Sequence, residues 1–553
     1  MLQVHGLNEI PSETKKVAEA AFPNGSLVMR LRDELGSVYS DEQFQDLFPE
    51  RGQPAQSPAL LAFVTILQFV EGLTDRQAAD AVRGRIDWKY ALCLELTDPG
   101  FDFSILCEFR ARLVADGAED RLLTLLLTHF QERGLLKAGG RQRTDSTHVL
   151  AAIRQLNRLE LVGETMRYTL NQFAQLAPEW LGRIVSAEWS ERYGRRFDAF
   201  HLPNSADKRH ALAQQIGVDG YTLMTHAYAP DTDAAVRNAA CLEVLRRIWI
   251  QQYAFEPQAS VPTPHWRDSK DLPPAEKRIR SPYDLDARYA RHNEFEWVGY
   301  RTHLTESCDP DASIHLITQV ETVLAPIQDV DVTETIQADL VQQGLKPKEQ
   351  YVDAAYVSAN LLGQAARDDG IQLIGPVTKL QDVSWQAREK TGYDASRFRI
   401  AWDTKHVICP QGQVSTKWVE RTDRTGNAVI HVAFAPEACQ ACSARALCTR
   451  SKQTGRNMQL RPREQHEALQ QARAEQADEA FGIQYRPRIG IEGTISQAVR
   501  AFELRETRYL GLAKTHLQGV ALAAGINLSR FYDYLCGTGL GQTRTSAFVA
   551  LTI

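Results

Sequence analysis

The stretch WVGYRTHLTESCDPDASIHLITQVETV, residues 297–323, begins and ends with strand-like sequence. Its two ends, 297–305 and 314–323, are rich in β-branched and aromatic residues, which favour strands. Helix-like and strand-like segments then alternate along the chain: TETIQADLVQQG (333–344), QYVDAAY (350–356), SANLLGQAARDDG (358–370) and IQLIGPV (371–377). Antiparallel strands followed by a β-α-β-α-β succession predict an α/β sheet domain.

Helix start signals precede this sheet region. In SPALLAFVTILQFVEGLTDRQAADAVRG (57–84), Ser57 and Pro58 mark the start of one helix, and Thr74 with Gln77 resembles a capping box that opens a second. Two helices joined by a short turn are either a DNA-binding helix-turn-helix or an ordinary helical hairpin. The second helix is rich in arginine, but its sequence fits both alternatives.

The chain divides into four expected segments. They are a helical N-terminal domain (1–140), the first part of an α/β core with a helical insertion at about 174–290 (141–400), a small cysteine-containing module (401–455), and a C-terminal helical part that completes the core (456–553).

Composition favours a folded protein without a membrane span. The chain has 553 residues, of which 43% are apolar, and its longest apolar run, PALLAFVTILQFV, is shorter than the roughly 20 residues that a bilayer requires. We therefore expect a soluble cytoplasmic protein without a membrane partner. A net charge of -6 argues against a generally basic nucleic-acid coat protein, so cations that bind phosphate must be clustered locally.

Two aspartates lie where a carboxylate needs a stabilising partner. Asp145, in RTDST, follows a short basic stretch and lies at the start of a strand-like segment. Asp353 lies inside the otherwise apolar QYVDAAY. Burial of an unpaired carboxylate costs several kcal/mol, so such residues are hydrogen-bonded, paired with a cation or bound to a metal. Each aspartate alone is explained by a strand-end hydrogen bond, whereas a divalent ion would satisfy several carboxylates together.

Together with Glu492 in YRPRIGIEG, these two aspartates resemble the acidic triad of the DDE transposases of bacterial insertion sequences. One branch of that family surrounds its glutamate with the pattern Tyr-x2-Arg-x3-Glu-x6-Lys. Tyr485, Arg488 and Glu492 match its first three positions, Val499 stands where the lysine belongs, and Arg500 follows one residue later. The resemblance extends to residues 58–92, 101–113 and 508–531, and so covers most of the chain.

The resemblance implies a fold and a reaction. The fold is an α/β core of RNase H-like type, a mixed five-stranded sheet with helices, which carries Asp145 on its first strand, Asp353 on its fourth and Glu492 on a later helix. The cofactors are two Mg²⁺ or Mn²⁺ ions, with Asp145 bridging both and the other two acids holding one each. The reaction is metal-dependent cleavage and transfer of DNA strands, because two such ions clamp the attacking and leaving oxygens of a phosphoryl displacement.

The same resemblance implies the partners. Tyr485 and Arg488 would contact DNA phosphates, and Arg500 could reach one in place of the missing lysine. The partner is double-stranded DNA, both as inverted-repeat transposon ends and as target, bound by a homodimer in the bacterial cytoplasm at the nucleoid. Residues 443–463 carry six basic residues and no acid, which supplies the local cations that such binding needs.

Four cysteines form a second candidate site, with the ligands Cys409, Cys439, Cys442 and Cys448. A Cys-x2-Cys pair between a distant first and a close fourth cysteine can complete a tetrahedral Zn²⁺ site, although free thiols explain the same residues. His406 or His431 could replace one cysteine as a ligand.

Two alternatives to a transposase remain at the level of sequence. A metal-dependent nuclease of the same fold would cut DNA without joining it and would use identical acids. A noncatalytic, zinc-containing DNA-binding regulator would use the acids only structurally. No phosphate-binding loop of the GxxxxGK[ST] kind is present, so the sequence gives no indication of ATP-driven action.

Overall fold

The structure is a computed structural model of the chain. It describes residues 2, 9–198, 202–255, 263–364, 370–378, 384–389, 392–424, 426–538 and 551. Every candidate site residue named above lies within these ranges. Of the helix expected at 358–370, residues 365–369 lie outside them.

The N-terminal part of the chain consists mainly of helices. Its α-helices in the described residues are α1 (Ser12–Ala21), α2 (Leu27–Leu35), α3 (Pro58–Val70), α4 (Asp75–Gly84), α5 (Ile86–Ala91), α6 (Ser104–Ala115) and α7 (Arg121–Glu132). The predicted caps are present, because Ser57 accepts a hydrogen bond from the Leu60 N–H and Thr74 forms a capping box with Gln77. Among the described residues, we find no single helix with the length and apolar composition of a membrane span. Helices α3 and α4 together have that length and composition, but they are bent by 112° relative to each other.

Strands and a helical insertion follow. In chain order they are β1 (Arg141–Leu150), α8 (Arg158–Leu176), α9 (Pro178–Gly182), α10 (Ala187–Tyr193), α11 (Ala206–Ala227), α12 (Ala234–Arg237), α13 (Ala240–Gln252), β2 (Tyr253–Phe255), β3 (Pro264–Trp266), β4 (Arg288–His292), β5 (Phe295–Ser307) and β6 (Ile317–Leu324). Helices α8 to α13 enclose a hydrophobic core of their own, which includes Met166, Ile216 and Leu245. This packed unit starts with α8, earlier in the chain than the insertion expected at about 174.

The rest of the chain returns to the sheet twice. Its elements are α14 (Asp329–Gln342), β7 (Glu349–Tyr351), α15 (Ala359–Gln364), β8 (Gln372–Ile374), α16 (Trp385–Arg388), β9 (Arg399–Ala401), β10 (His406–Ile408), β11 (Lys417–Thr422), β12 (Ala428–Ala433), α17 (Pro436–Gln440), α18 (Arg445–Cys448), β13 (Asn457–Leu460), α19 (Arg463–Gln476), α20 (Glu479–Tyr485), α21 (Gly490–Phe502) and α22 (Leu512–Leu535).

The main sheet is mixed, with β1 at its centre. Strand β5 pairs antiparallel with β1, β6 and β4 pair antiparallel with β5, and β7 and β8 continue the sheet in parallel on the other side of β1. The described sheet therefore has six strands, and the prediction of five was wrong. The additional strand is β4, which forms a hairpin with the start of β5 through a turn in which Asn293 has a φ of 54°.

The N-terminal helices and the sheet share one hydrophobic core. It contains Leu61 and Phe130 of the helices, Leu304 and Val320 of the sheet, and a long run of α22. Two glycines let α22 lie close to β6 and to α3. A Cβ at Gly519 would lie 3.2 Å from Val320 of β6, and a Cβ at Gly525 would lie 3.1 Å from Val70 of α3. Helix α22 therefore joins the N-terminal part to the sheet that carries the candidate acids.

A smaller unit lies between β8 and α19. Strands β11, β12 and β13 form an antiparallel sheet, and β9 pairs with β10 beside it. Its core extends from Phe398 to Leu460, slightly wider than the segment 401–455 expected for the cysteine module.

Candidate carboxylate site

The parallel pairing of β1 with β7 brings two aspartates level with each other. Arg143 pairs with Tyr351 at the end of this ladder, and Asp145 and Asp353 each follow two residues later. Asp145 lies in the middle of β1, where it pairs with Leu304 of β5. The two aspartates therefore lie close together just beyond the end of the parallel β1–β7 ladder, although more than 200 residues of chain separate them.

Asp353 is not inside a strand, so the prediction from QYVDAAY was wrong on this point. Strand β7 ends at Tyr351, and the Asp353 side chain accepts a hydrogen bond of 2.8 Å from the Ala355 N–H. This bond caps the short 3₁₀ helix Ala354–Tyr356. A short carboxylate side chain that bonds the following backbone competes with the sheet ladder, which explains why the strand stops here.

One guanidinium joins the first aspartate to the predicted glutamate. Glu492 lies in the first turn of α21, as expected, and its carboxylate accepts a hydrogen bond of 2.6 Å from Arg488 Nη1. Arg488 Nη2 donates to Asp145 Oδ2 at 2.7 Å. Asp145 and Arg488 are mostly buried, with 16% and 14% of their side chains exposed, whereas 63% of the Glu492 side chain is exposed.

A buried carboxylate of β5 fixes the helix that carries Glu492. Glu306 is fully buried, and its Oε1 accepts a hydrogen bond of 2.6 Å from Arg143 Nε. Its Oε2 accepts bonds from Thr494 Oγ1 of α21 at 2.6 Å and from Arg530 Nη1 of α22 at 2.8 Å. Burial acts to raise the pKa of Glu306, but Arg530 and Arg143 outweigh it and hold that pKa below its ordinary value. The charged Glu306 thus ties β1, β5, α21 and α22 together.

Arg143 also holds the turn that precedes α21. Its Nη1 donates a hydrogen bond of 2.6 Å to the Pro487 carbonyl, one residue before Arg488. A Cβ at Gly490 would lie 1.8 Å from Arg143 Nη1, so this approach requires a glycine. The backbone around Arg488 and Glu492 is therefore anchored to the same strand as Asp145.

The electrostatic environment of Asp145 opposes its negative charge. The pKa of Asp145 is raised to about 6: burial is the largest cause, Arg488 and the Ser146 N–H act to lower the pKa, and the nearby Asp353 and Asp329 act to raise it. The pKa of Arg488 is raised. Burial acts to lower this pKa, but Asp145 and the other acidic neighbours outweigh burial.

Asp329 is a residue that the sequence did not single out. It is the first residue of α14 and accepts hydrogen bonds from Ser146 Oγ at 3.0 Å and Arg301 Nη1 at 2.7 Å. Its contact with Ser146, the residue after Asp145, makes it a fourth acid near Asp145. An aspartate at the start of a helix is common for its favourable dipole interaction alone, so the sequence carried no signal for this role.

Two of the residues expected to contact DNA have other surroundings. The Tyr485 hydroxyl donates a hydrogen bond of 2.9 Å to the Val352 carbonyl, next to Asp353, and burial raises the pKa of Tyr485 to about 12. Arg500 is exposed in the last turn of α21, and Val499 packs against the main core. Arg488 and Tyr485 therefore lie at the acids, whereas Arg500 lies at the far end of the helix from Glu492.

The donor set suits a hard divalent cation. Carboxylate oxygens are the ligands that Mg²⁺ and Mn²⁺ prefer, and the buried Asp145 beside Asp353 and Asp329 would gain from an added positive charge. Within the described ranges, however, no group of three or more His, Cys, Asp or Glu side chains is arranged to hold a metal ion. At the acids the reason is visible, because the Arg488 guanidinium lies between Asp145 and Glu492.

The four candidate zinc ligands converge on one cavity. Cys409, Cys439, Cys442 and Cys448 all line it, and the Arg456 N–H donates to Cys439 Sγ at 3.4 Å. Burial raises the pKa of the Cys448 thiol, and the other three cysteines raise it further while Arg456 acts to lower it. The thiols are therefore neighbours, although the described side chains do not form a ligand shell.

The stability that Asp145 contributes should decrease as the pH of metal-free protein rises. Folding raises its pKa from 3.8 to about 6, so the folded state holds the proton more tightly. This contribution is fully present below about pH 4 and is lost as the pH rises through about 6. In urea unfolding with EDTA, the free energy of unfolding of the wild type relative to Asp145→Asn should fall by about 2–3 kcal/mol between about pH 4 and pH 7. A constant difference over this range would contradict the assigned environment.

Two models of known protein families match parts of the chain. A family model described as "Transposase DDE domain" matches residues 408–532, which include Glu492 and its helix, and a model described as "Transposase domain" matches residues 16–112. Asp145 and Asp353 lie outside both matched segments. No curated protein sequence matches the chain significantly. Transposase models matched near both ends of the chain indicate a DDE transposase of an insertion sequence, an enzyme that cleaves and transfers polynucleotide strands.

Proposed function

We propose that this transposase cleaves and transfers DNA strands at the ends of an insertion sequence with Asp145, Asp353 and Glu492 as its acidic triad. The observation that carries the proposal is the Arg488 guanidinium in contact with both Asp145 and Glu492, beside an Asp353 that the strand register brings level with Asp145. Three acids from distant parts of the chain thus surround one buried positive charge, which is the electrostatic setting of a cation site.

The strand order supports an RNase H-like core. Without the short β4, the strands β1, β5, β6, β7 and β8 are the first to fifth of the sheet, in the spatial order third, second, first, fourth, fifth. The first three are antiparallel, and the last two are parallel to the first. The acids would then lie on the first strand, directly after the fourth and on a helix that follows the fifth, as this family requires.

In this proposal Asp145, Asp353 and Glu492 would together hold the Mg²⁺ or Mn²⁺ ions. Such ions, when bound, stabilise the charge on the attacking and leaving oxygens of a phosphoryl displacement. The chain's own residues supply the frame: Glu306 and Arg143 fix the helix of Glu492, and the capped turn at Asp353 fixes its carboxylate. Water is the first nucleophile and the freed 3′-hydroxyl of the transposon end the second.

The proposed partner is double-stranded DNA, both transposon ends and target, bound by a homodimer at the bacterial nucleoid. Arg488 and the exposed Arg500 would contact phosphates, whereas Tyr485 would do so only after its hydroxyl leaves the Val352 carbonyl. The N-terminal helices would bind the transposon ends. Their α3 and α4 are bent by 112°, within the about 90–120° typical of a helix-turn-helix, and Arg76 lies on the exposed face of α4.

Substitution of each acid tests the triad. Asp145→Ala, Asp353→Ala and Glu492→Ala should each reduce cleavage of a transposon-end duplex by at least about 10³-fold, because each would remove an oxygen ligand that acts in the transition state. DNA affinity, measured by gel shift, should change little. Glu334→Ala is the matched control, because Glu334 is an exposed carboxylate on α14, and it should keep wild-type cleavage.

The same assay separates the alternatives. Retained cleavage in any of the three variants would remove that residue from the triad. A wild-type protein that cuts the duplex but never joins the cut end to a target would be a nuclease of the same fold. A protein that binds DNA without metal-dependent cleavage would be a noncatalytic regulator.

We also propose that the small unit between β8 and α19 binds one structural Zn²⁺ through Cys409, Cys439, Cys442 and Cys448. Their convergence on one cavity supports it, and so does the Arg456 N–H at Cys439, because backbone N–H groups that donate to sulfur stabilise thiolate ligands. The ion would complement a small core, which has seven buried hydrophobic residues among those described.

Elemental analysis of purified protein tests this site. We expect about one zinc per chain in the wild type and less than about a tenth of that in Cys439→Ser with Cys442→Ser, because two of four ligands are lost. Cys536→Ser, at an exposed cysteine far along the chain, should retain zinc. Absence of zinc from the wild type would reduce the cluster to free thiols.

A further inference from the structure

Arg488 is expected to contact DNA phosphates, yet its side chain is largely buried. Its side chain is only 14% exposed, and its two terminal nitrogens donate to Asp145 and Glu492 at 2.7 and 2.6 Å. Its Nε is buried and has no hydrogen-bond partner among the described residues. Among the described residues, the guanidinium therefore donates its hydrogen bonds to these two carboxylates, which are acids that the proposed function assigns to metal ions.

Both oxygens of Asp145 are already in use in this arrangement. Oδ1 accepts a hydrogen bond of 2.8 Å from the Ser146 N–H, and Oδ2 accepts the bond from Arg488. A divalent ion bound at Asp145 would lie within a few ångströms of the guanidinium, in a site too buried for water to screen the repulsion fully. The ion and the Arg488 head group therefore compete for the same carboxylate.

The backbone permits an exchange that moves only the side chain. Arg143 Nη1 holds the Pro487 carbonyl, and Thr494 and Arg530 hold α21 through Glu306. The exposed flank of Glu492 gives the long Arg488 side chain a path toward solvent. Rotation about side-chain bonds can therefore release the carboxylates while their frame stays in place.

We propose that Arg488 takes the place of the divalent cation in the metal-free protein, and that metal binding displaces its guanidinium from Asp145 toward the DNA phosphates. Arg488 is thus a positioning residue that keeps Asp145 and Glu492 together before the ion arrives. This inference rests on the proposed function of the two acids. It also makes metal and DNA binding cooperative, because a phosphate that pairs with the displaced guanidinium removes the competitor of the ion, and the coupling must act equally in both directions.

A Mn²⁺ titration without DNA tests the exchange independently of activity. Free Mn²⁺ is measured by electron paramagnetic resonance as it is added to metal-free protein. Arg488→Gln should bind Mn²⁺ about tenfold more tightly than the wild type, because the competing positive charge is gone. Arg486→Gln is the matched control: it removes an exposed arginine from the same turn and should change the affinity by less than about twofold.

Thermal unfolding gives a second readout. In EDTA, Arg488→Gln should unfold at a lower temperature than Arg486→Gln, because Asp145 and Glu492 lose their shared counter-charge. Saturating Mn²⁺ should raise the unfolding temperature of Arg488→Gln more than that of the wild type. Arg488→Lys, which keeps the charge but offers no fork to bridge two carboxylates, should have an intermediate Mn²⁺ affinity.

Asp145→Asn separates the failure of this inference from that of the proposed site. If Asp145→Asn binds Mn²⁺ as tightly as the wild type, the metal site itself is misassigned. If Asp145→Asn loses Mn²⁺ but Arg488→Gln and Arg488→Lys bind it no more tightly than the wild type, the site stands and the exchange is overturned. If Arg488→Gln does not fold, the affinity of Arg488→Lys decides the question.

Discussion

The buried carboxylate of Glu306 is the interaction on which the candidate site depends. It accepts hydrogen bonds from Arg143 of β1, Thr494 of α21 and Arg530 of α22 while it is fully excluded from solvent. A buried ion pair contributes little net stability over apolar packing, but removal of one partner leaves an uncompensated charge and costs about 3–5 kcal/mol. The value of this network is therefore geometric, because it fixes one register between the central strand and the helix of Glu492.

A fixed frame surrounds an adaptable centre. The frame consists of the β1–β7 ladder, the capped turn at Asp353 and the Glu306 network, all of which hold backbone. The centre is the Arg488 side chain, whose guanidinium is hydrogen-bonded to the carboxylates of Asp145 and Glu492. Such a division suits a site that must accept metal ions and a phosphate backbone in turn, since the ligands are preorganised and only a counter-charge has to leave.

Local sequence signals predicted helix starts and the order of helices and strands. The caps at Ser57 and Thr74 and the α/β order follow from short-range chemistry, and the structure has each of them. The acids themselves were found through a resemblance and not from periodicity. At the position where that family pattern has a lysine, this chain has Val499, which is partly buried and packs against the main core.

The features that the sequence did not predict have both local and long-range causes. Asp353 was expected inside a strand because apolar neighbours surround it, yet its bond to the Ala355 N–H ends the ladder first. The roles of Glu306 and Asp329 depend on partners more than 150 residues away, such as Arg143 and Ser146, which no local pattern contains. The hairpin that joins β4 to β5 requires a positive φ at Asn293. The identity of one residue does not determine its φ, so this strand was not predicted.

The position of Mn²⁺ in crystals of the protein, located by anomalous diffraction, tests the central claim most directly. The account predicts anomalous density within about 2.2 Å of carboxylate oxygens of Asp145 and Asp353, with the Arg488 guanidinium withdrawn from Asp145. Mn²⁺ bound elsewhere, with the Asp145–Arg488 pair intact at saturating metal, would contradict it.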